Sequence, residues 1–500
     1  MCISTVFRTL RLFLLVAVGG AACLVGTPPA AAQAPVAYDT TTVDGRDAVV
    51  VSHGEGGGIQ HPSQGADVTW TSDYLWVLDG LIFVNEGQKL RLDPGTVVKG
   101  KTGDGKNASA LVVARGGQIF AEGTAEQPII FTTVKDDLST TDDLPSNFRG
   151  GWGGLIVMGR APLNTTPNVL NVEGITLNEI RNQYGGDDPQ DDSGVLRYVS
   201  VRYGGTILDE GNEINGITFA GVGSGTTVEY VEVFNNQDDG FEFFGGTVNT
   251  RYLISAFTTD DSFDIDQGYR GTGQFWLAVQ NAVYADHAGE HDGGESSYGG
   301  EDSTPYATPQ LYNATYIGSG LDGSGSTALN LRDNFAGSYL NSIFASFPEQ
   351  VVSIEDVPGD DGGDSRARFE EGALQMKGNL FHSIAGTFMA GTGSSSSGLV
   401  DNEGTFGTEI AAYLSENNRM ADTSPVVTLD RDSYGNLTAL DPRAASPAVS
   451  AETSVSYGEA PDFVEPVDYV GAFGPEENWA ASWSFLGNGG SKYPGLGILR

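Results

Sequence analysis

The sequence predicts an all-β fold, a single-domain right-handed parallel β-helix, from three observations. Glycine accounts for 70 of the 500 residues, and long helical patterns are nearly absent. Short β-rich segments recur between turns of Gly, Asn and Asp. Two kinds of segment alternate with one shared period of about 22–24 residues, which is typical of a coil in a β-solenoid and too short for a propeller blade. Right-handedness follows from the general rule for parallel crossovers.

The period is clearest between residues 197 and 281. One strand type reads RYVSVRYGG, EYVEVFNN and RYLISAFTT, with a looser copy in FWLAVQN. By alignment of these copies, Val231 to Leu253 spans 22 residues and Leu253 to Leu277 spans 24. We therefore expect Leu253 to stack on Leu277 in the next coil.

A second strand type reads DDGFEFFGG and DDSFDIDQG, and its two copies are again 22 residues apart. Because side chains alternate between the two faces of a strand, we expect Phe241 and Phe243 inside the coil. Glu242, and Asp264 of the next copy, should then point outward. Further along the chain, an asparagine recurs at what we expect to be one corner of the coils, at Asn313, Asn341 and Asn379.

The remaining segments complete a one-domain organisation. We expect an N-terminal extension or cap at 33–70, the β-helix at 71–485 and a tail at 486–500. Long insertions are predicted at 161–195, 282–308 and 354–370. On a solenoid such insertions project from one side and often build the binding face. TEIAAYLSENNRM at 408–420 predicts a short C-terminal helix with Thr408 as its N-cap.

Residues 1–32 predict an export signal. Two arginines precede an apolar run, and Ala30–Ala32 offers a small-residue cleavage site. The run is too short for a membrane span of about 20 residues, and no later segment is apolar enough. Both cysteines of the chain, Cys2 and Cys23, lie in this signal. We expect a protein that is secreted or located in the periplasm or at the cell surface; the alternative, a lipoprotein anchored through Cys23, is less favoured.

The charge balance limits the partners. The chain has 65 acidic against 26 basic residues, a net charge of −39. Nucleic acid is not an expected partner, because phosphate binding needs basic patches. We expect a monomer with a strongly acidic, solvated surface.

Four stretches carry a family resemblance and together span most of residues 75–485. They are GGWGGLIVMGRAPLN, YGGDDPQDDSGVLRYVSVRYGG, NEINGITFAGVGSGTTVEYVEVFNNQDDGFEFFGG and VDYVGAFGPEENW. They resemble exported bacterial β-helix proteins without an assigned activity, which are pectate-lyase-like in architecture. The resemblance implies a right-handed parallel β-helix and export, and it implies no particular reaction.

The best candidate site is an acidic column. Equivalent carboxylates one coil apart should lie about 4.8 Å from each other, and converging carboxylate oxygens suit Ca²⁺. The candidate ligands are Asp238, Asp239, Glu242, Asp260, Asp261, Asp264 and Glu290. The alternative is that the Asp pairs only form turns, each satisfied by main-chain hydrogen bonds.

A second set of residues is predicted to contact a substrate. It comprises Arg270, His287, His291 and Asp292. No spacing typical of a transition-metal site is present, and no Gly-His-Gly follows the Asp238–Asp239 pair, which disfavours a polygalacturonase-like hydrolase.

Three functions remain open at this point, and the first two are the main alternatives. The first is a non-catalytic protein that binds a polysaccharide or a cell-surface component, with Ca²⁺ as a candidate cofactor. The alternative is a polysaccharide lyase or related carbohydrate-active enzyme, and a structural role in the envelope is a third. A cleft where a cation meets an Arg, Lys or His would favour the enzyme.

Overall fold

The computed structural model describes residues 37–487, except 53–57, 60, 62, 141–142, 210–211, 295–299, 326, 358–363, 385–386, 391–397, 401 and 450–453. The predicted signal, with Cys2 and Cys23, and most of the predicted tail lie outside the described residues. Two long parallel sheets wind around one interior, so the predicted all-β parallel β-helix is confirmed. Among the described residues, no helix is long and apolar enough to cross a membrane.

Sheet I has eleven strands, of which the last two, Thr387–Ala390 and Gly398–Val400, lie in one coil and pair with each other. Its strands are Leu81–Val84, Ala110–Val113, Leu155–Met158, Ile217–Ala220, Phe241–Phe244, Phe263–Asp266, Gly289–Asp292, Leu329–Arg332, Val352–Ile354, Thr387–Ala390 and Gly398–Val400.

Sheet II has nineteen strands and bends around a corner. Its strands are Ala37–Val43, Arg46–Ser52, Asp67–Trp70, Leu75–Asp79, Lys89–Leu92, Val97–Gly100, Gln118–Glu122, Ile129–Thr133, Gly194–Arg202, Thr227–Phe234, Thr250–Ala256, Thr272–Val279, Gln310–Tyr312, Thr315–Ile317, Ser338–Leu340, Ile343–Ala345, Gln375–Lys377, Leu380–His382 and Arg419–Met420.

Few elements lie outside these sheets. Three antiparallel hairpins pair Leu170–Asn171 with Gln183–Tyr184, Ile207–Asp209 with Asn212–Glu213, and Val426–Arg431 with Leu437–Ala444. The helices are Gly105–Asn107, which is 3₁₀, Ser365–Glu370, Gly404–Asn417 and Ser446–Val449.

The interior is built by stacking equivalent residues of successive coils. Phe241 pairs in register with Phe263, and Phe243 with Ile265, as the alternation predicted. The rings of Phe241 and Phe263 stack with centroids 5.4 Å apart. Each fully buried side chain of this size contributes about 1.5–3 kcal/mol by leaving water, so the continuous stack supplies much of the fold's stability.

Sheet II turns its corner at aromatic residues in a left-handed conformation. Tyr198, Tyr230, Tyr252 and Phe275 have φ of 51°, 57°, 59° and 58°, which is rare for bulky side chains. Their rings stack along the axis at 4.5, 4.3 and 4.9 Å. Because Phe275 occupies the corner, Leu253 pairs with Trp276. The predicted stacking of Leu253 on Leu277 is therefore wrong by one residue.

Asparagine takes over the same corner in later coils. Asn313 and Asn341 have φ of 53° and 54°. In the next coil the corner falls on Gly378, with φ of 71°, because Leu340 pairs with Lys377 and Ile343 with Leu380. Asn379 thus lies one residue beyond the predicted ladder, where its side chain donates to the Tyr339 carbonyl.

The C-terminal helix differs in its bounds from the prediction. It spans Gly404–Asn417 and buries Phe406, Ile410 and Leu414 against the interior. Thr408 is not its N-cap, because its hydroxyl donates to the Gly404 carbonyl one turn earlier. Residues 419–420, predicted as helix, form the last strand of sheet II.

The predicted insertions are partly regular structure. The 282–308 segment contains the sheet I strand Gly289–Asp292, whose glycine-rich sequence hid it. The 161–195 segment packs Leu163, Leu170, Val172, Ile175 and Tyr184 over the outer face of sheet I. The two segments touch where the Asn164 amide donates to the Gly293 and Ser303 carbonyls. Of the 354–370 segment, residues 358–363 lie outside the described part.

The last described part of the chain, residues 454–487, contains no strand of the two sheets, and we name it the C-terminal strap. It runs back along the corner of sheet II, from Val455 beside Asn341 to Phe485 beside Glu232. The buried Glu232 carboxylate accepts the main-chain N–H groups of Phe485 at 2.7 Å and Leu486 at 2.8 Å. Trp479 packs edge-on against the stacked corner rings, 5.2 Å from Tyr252.

Candidate cation site

The seven predicted carboxylates come together at the start of three successive strands of sheet I. Glu242, Asp264 and Glu290 pair in register as one outward row. Asp238, Asp239, Asp260 and Asp261 lie at the preceding corner, just before strands Phe241–Phe244 and Phe263–Asp266. We name the seven residues the carboxylate column.

The column contains overlapping groups of ligand atoms. One group is Asp238, Asp239 and Asp260, a second is Asp239, Glu242 and Asp264, and a third is Asp261, His287 and Glu290. Within each group the possible ligand atoms lie within 4.8 Å of one another. Oxygen atoms so arranged can converge on one cation with little rearrangement.

The column is more buried than expected. Glu242 was predicted to point outward into solvent, but its exposed fraction is 4%, with 8% for Asp239 and 5% for Asp261. The reason is cover from neighbouring segments, since the Asn215 amide lies against Glu242 and donates to its carboxylate. Asp260, in contrast, is exposed, which leaves an entry from solvent.

The carboxylates differ in how they are satisfied. Asp239 accepts the main-chain N–H of Asp261 at 2.9 Å, and Asp261 accepts that of His287 at 2.6 Å. These two aspartates therefore fulfil the structural role that was the alternative prediction. Within the described chain, the carboxylates of Asp238, Asp260 and Asp264 form no hydrogen bond and no ion pair, and Arg332 and His287 act on Asp264 and Asp260 only through their charge at longer range.

Burial and mutual repulsion shift the acidities of the column. Burial, followed by the charge of Asp260, raises the pKa of Asp238 to about 8. Burial raises the pKa of Asp261 to about 7 despite the opposing effect of His287. Burial and the charge of Asp264 raise the pKa values of Asp239 and Glu242 well above their usual range. The column thus holds more negative charge than its surroundings compensate.

Two basic side chains border the column. The His287 Nδ1 lies 3.2 Å from Asp261, 3.5 Å from Asp286 and 3.6 Å from Glu290. Burial lowers its pKa, but the hydrogen bond to Asp261 and the nearby carboxylates outweigh this, so the pKa is raised overall. Arg332 pairs with Asp292 and with Glu290, each at 2.9 Å.

The chain matches a known protein family. A family model described as the pectate-lyase-like β-helix domain matches residues 62–419. The chain belongs to the pectate-lyase-like β-helix family. No curated protein and no solved structure matches it.

Other predicted site residues of this pectate-lyase-like domain lie elsewhere. His291 pairs with Ile265 and points into the coil, where it is completely buried. Its Nε2 lies 2.6 Å from the Tyr339 hydroxyl, and burial lowers its pKa to about 3. His291 was expected to contact substrate. That expectation is wrong, because the position of His291 in its strand faces the interior. Arg270 donates to the Gly268 and Pro162 carbonyls, outside the column.

Arg332 was not predicted. It lies one coil beyond Asp292 but 40 residues later in sequence, since an insertion separates the two strands. The LNLRDN stretch, aligned with GEHD as consecutive strands, was the signal that would have placed it.

A groove adjoins the column in the pectate-lyase-like domain. It has a volume of about 740 Å³ and is lined by residues 102–105 and by Gly150, Thr206 and Gln237. Gln237 directly precedes Asp238, but none of the seven column residues lines this groove.

A second acidic cluster lies further along the helix and was also missed. Glu301, Asp333 and Glu355 place carboxylate oxygens within 4.8 Å of one another. Burial, followed by the charge of Asp292, raises the pKa of Asp333 to about 7. Glu355 accepts the main-chain N–H of Asp333 at 2.6 Å.

Proposed function

We propose that this protein is an exported, non-catalytic β-helix protein that binds an acidic polysaccharide through Ca²⁺ held by the carboxylate column. One observation carries the proposal: in the described chain the carboxylates of Asp238, Asp260 and Asp264 form no hydrogen bond and no ion pair, although they lie among other carboxylates. Uncompensated carboxylates in a partly buried site are costly. A divalent cation removes that cost.

Ca²⁺ suits the donor set better than other common cations. The column offers carboxylate oxygens almost exclusively, with one imidazole at its edge. Ca²⁺ accepts 6–8 oxygens in a flexible arrangement, whereas Mg²⁺ demands a near-ideal octahedron. Transition metals would favour more nitrogen or sulfur ligands.

Membership of the pectate-lyase-like family supports an acidic polysaccharide as partner. A surface with net charge −39 repels a polyanion. A Ca²⁺ ion bound at the column would bridge the two negative surfaces. The groove of about 740 Å³ that begins at Gln237 offers room for part of a polysaccharide chain.

The two basic groups favour binding over catalysis. The Nδ1 of His287 is already held by Asp261 at 3.2 Å, with Asp286 at 3.5 Å and Glu290 at 3.6 Å. Arg332 is already paired with Glu290 and Asp292. Proton abstraction needs an unprotonated base in contact with the substrate.

Calorimetric titration and thermal unfolding test the proposal. We expect the free energy of unfolding to be higher in CaCl₂ than in EDTA. The increase should be saturable and should be about 2.7 kcal/mol when Ca²⁺ reaches 100 times its dissociation constant. The triple variant Asp238→Asn, Asp260→Asn, Asp264→Asn should lose this response. The matched control neutralises three exposed carboxylates, Asp39→Asn, Glu126→Gln and Glu349→Gln, and should keep it.

Two results would contradict the proposal. One is a midpoint that moves no further with CaCl₂ than with NaCl of equal ionic strength. The other is Ca²⁺ binding that survives in the column variant. If Ca²⁺ binds as expected, co-sedimentation with polygalacturonate in CaCl₂ and in EDTA tests the polysaccharide step.

A polysaccharide lyase is the second candidate, favoured by the approach of His287 and Arg332 to the column. A lyase leaves an unsaturated uronate that absorbs in the ultraviolet. Incubation of the Ca²⁺-loaded protein with polygalacturonate should give no such absorbance if the protein only binds. Absorbance that grows with time and disappears in His287→Ala would establish the lyase instead.

A further inference from the structure

A stack of tyrosine rings follows the corner of sheet II. Tyr198, Tyr230 and Tyr252 come from three consecutive coils, and their ring centroids lie 4.5 and 4.3 Å apart. The ring planes of Tyr230 and Tyr252 are inclined by only 4°. Aromatic pairs in proteins usually have centroids about 4.5–7 Å apart, so these two rings are unusually close and parallel. None of the three residues belongs to the carboxylate column.

The corner itself does not require tyrosine. Its backbone has φ of 57° at Tyr230 and 59° at Tyr252, a strained conformation for a bulky residue. Later coils turn the same corner with Asn313 and Asn341 at similar φ, and asparagine tolerates this conformation better. Phe275 continues the ring stack without a hydroxyl. The turn and the stacking together therefore explain a ring at this corner, but they do not explain the phenol group.

The surroundings of the stack suit a reaction of the phenol groups. Tyr198, Tyr230 and Tyr252 are half-buried, so a small oxidant can approach them. The Tyr252 hydroxyl donates to the Glu465 carboxylate at 3.5 Å, which places a proton acceptor beside it. Trp479 of the strap packs edge-on against Tyr230 and Tyr252, with centroids at 6.2 and 5.2 Å. The two tyrosine rings are thus held in place from the side.

We infer that Tyr230 and Tyr252 form a dityrosine cross-link between consecutive coils on one-electron oxidation, the oxidant being hydrogen peroxide delivered through a haem peroxidase. Each phenol loses one electron and one proton, and Glu465 accepts the proton of Tyr252. The two tyrosyl radicals couple in a carbon–carbon bond between the ring positions next to the hydroxyls. Loss of the ring protons at that bond and protonation of the oxygens restore two phenols. The protein loses two hydrogen atoms in total, and hydrogen peroxide is reduced to two molecules of water.

The cross-link supplies a covalent connection of a kind that disulfides cannot supply here. The described residues contain no cysteine. In a solenoid each coil touches only its neighbours, so two coils can separate without disturbing the rest. A bond between Tyr230 and Tyr252 prevents that separation and also restricts the unfolded chain, as other covalent cross-links do.

Peroxidase treatment followed by peptide mapping tests the inference. Trypsin cleaves after Arg202 and Arg251, which separates Tyr230 and Tyr252 into peptides 203–251 and 252–270. In the monomeric fraction of the oxidised protein, we expect these two peptides to be joined. Their mass should be lower than the sum of the separate peptides by two hydrogen atoms, and they should show the blue fluorescence of dityrosine. The oxidised protein should also unfold at a higher temperature than the untreated protein.

Tyr230→Phe is the decisive variant. It keeps a ring in the stack, as Phe275 does in a later coil, and it removes the phenol from the centre of the stack. The joined peptides and the rise in unfolding temperature should therefore both disappear. Tyr434→Phe changes a tyrosine that is 84% exposed, and as the matched control it should alter neither result. An unchanged unfolding temperature before oxidation shows that each variant is folded.

Three results would overturn the inference. The first is oxidation of Tyr434 while the two tryptic peptides remain separate. The second is a joined pair of these peptides in Tyr230→Phe. The third is equally ready linkage of Tyr312 to Tyr457, whose ring centroids are 6.0 Å apart and inclined by 29°. The treatment is carried out in EDTA, so its outcome is independent of the Ca²⁺ proposal.

Discussion

The outer face of sheet I has two halves with opposite chemistry along a single row of residues. In the first coils the row reads Phe83, Val112 and Ile156, and in later coils it reads Glu242, Asp264 and Glu290, with Thr218 between them. The apolar half is covered by the 161–195 segment, whose apolar side chains pack on it. The acidic half is also largely buried, yet its carboxylates lack equivalent cover. The comparison teaches that the chemistry of the outward row differs with what covers each coil: apolar where a segment packs on it, acidic where it does not.

The largest expected effect comes from placing a carboxylate in the apolar half. Ile156→Asp should lower the free energy of unfolding by about 4 kcal/mol, because a buried charge without a partner pays a desolvation cost of several kcal/mol. Urea unfolding in EDTA and in CaCl₂ measures it, and Ca²⁺ should not restore the loss. Thr218→Asp, which extends the column by one coil, is the control and should be partly restored. Equal responses of the two variants would remove the distinction between the halves.

The second largest difference between the two halves is expected in the pH dependence of the free energy of unfolding of the ion-free protein. The folded pKa values of Asp238 and Asp261, about 8 and about 7, lie above the ordinary value of a carboxyl group. Groups raised in this way favour folding when protonated, and that contribution disappears as pH rises through the folded pKa. In EDTA, the free energy of unfolding should therefore fall between pH 5 and pH 8, by about 2 kcal/mol.

Calcium should reverse that trend. The ion binds deprotonated carboxylates, so its stabilising effect grows with pH. Unfolding measured at four pH values with and without CaCl₂ gives both curves. A stability in EDTA that rises across this range would show that the column carboxylates are compensated.

A smaller effect is expected from neutralising one column residue. Asp264→Asn removes repulsion from Asp261 and the other neighbouring carboxylates. In EDTA the variant should be more stable by about 1 kcal/mol, since two charges near 4 Å repel by that order in water. Its Ca²⁺ affinity should fall at least tenfold in calorimetry. Glu126→Gln, at an exposed position, is the control, and a destabilised Asp264→Asn in EDTA would contradict the interpretation.

The smallest effect concerns Arg332 at the end of the column. Its pairs with Glu290 and Asp292 are half-exposed, and such pairs contribute about 0–1 kcal/mol. Arg332→Gln should therefore cost under about 1 kcal/mol of stability. Calcium should bind several-fold more tightly, because a competing positive charge is gone. Weaker Ca²⁺ binding would mean that Arg332 holds the ligands in place.

The period made much of this architecture predictable. Phe241 on Phe263 and Glu242 on Asp264 follow from two segments of equal length. The same spacing placed Glu290 in the row correctly, although 26 residues separate it from Asp264. A fixed period predicts registers well because each coil repeats the hydrogen bonding of the previous one.

The predictions failed where the local sequence gave no sign of a strand, of a corner position or of the residue that covers a side chain. Gly289–Asp292 has too few apolar residues to be recognised as a strand, so His291 was assigned to a loop. The corner position of Phe275 cannot be read from a strand pattern, because left-handed aromatic residues are rare. The burial of Glu242 depends on Asn215, which lies one coil earlier at the position equivalent to Asp239, in a segment that was not aligned with the DDGFEFFGG copies.

The C-terminal strap has a consequence for how the molecule comes apart. In a stack of coils each unit touches only its neighbours, so parts of a solenoid can open separately. The strap is hydrogen-bonded to Asn341 through Val455 and to Glu232 through Phe485. It therefore connects coils that are not in contact with each other. Opening any coil between Glu232 and Asn341 would disturb the hydrogen bonds that the strap makes at both residues. The strap thus couples coils that would otherwise open separately, and the stretch of repeats between Glu232 and Asn341 should unfold as one cooperative unit.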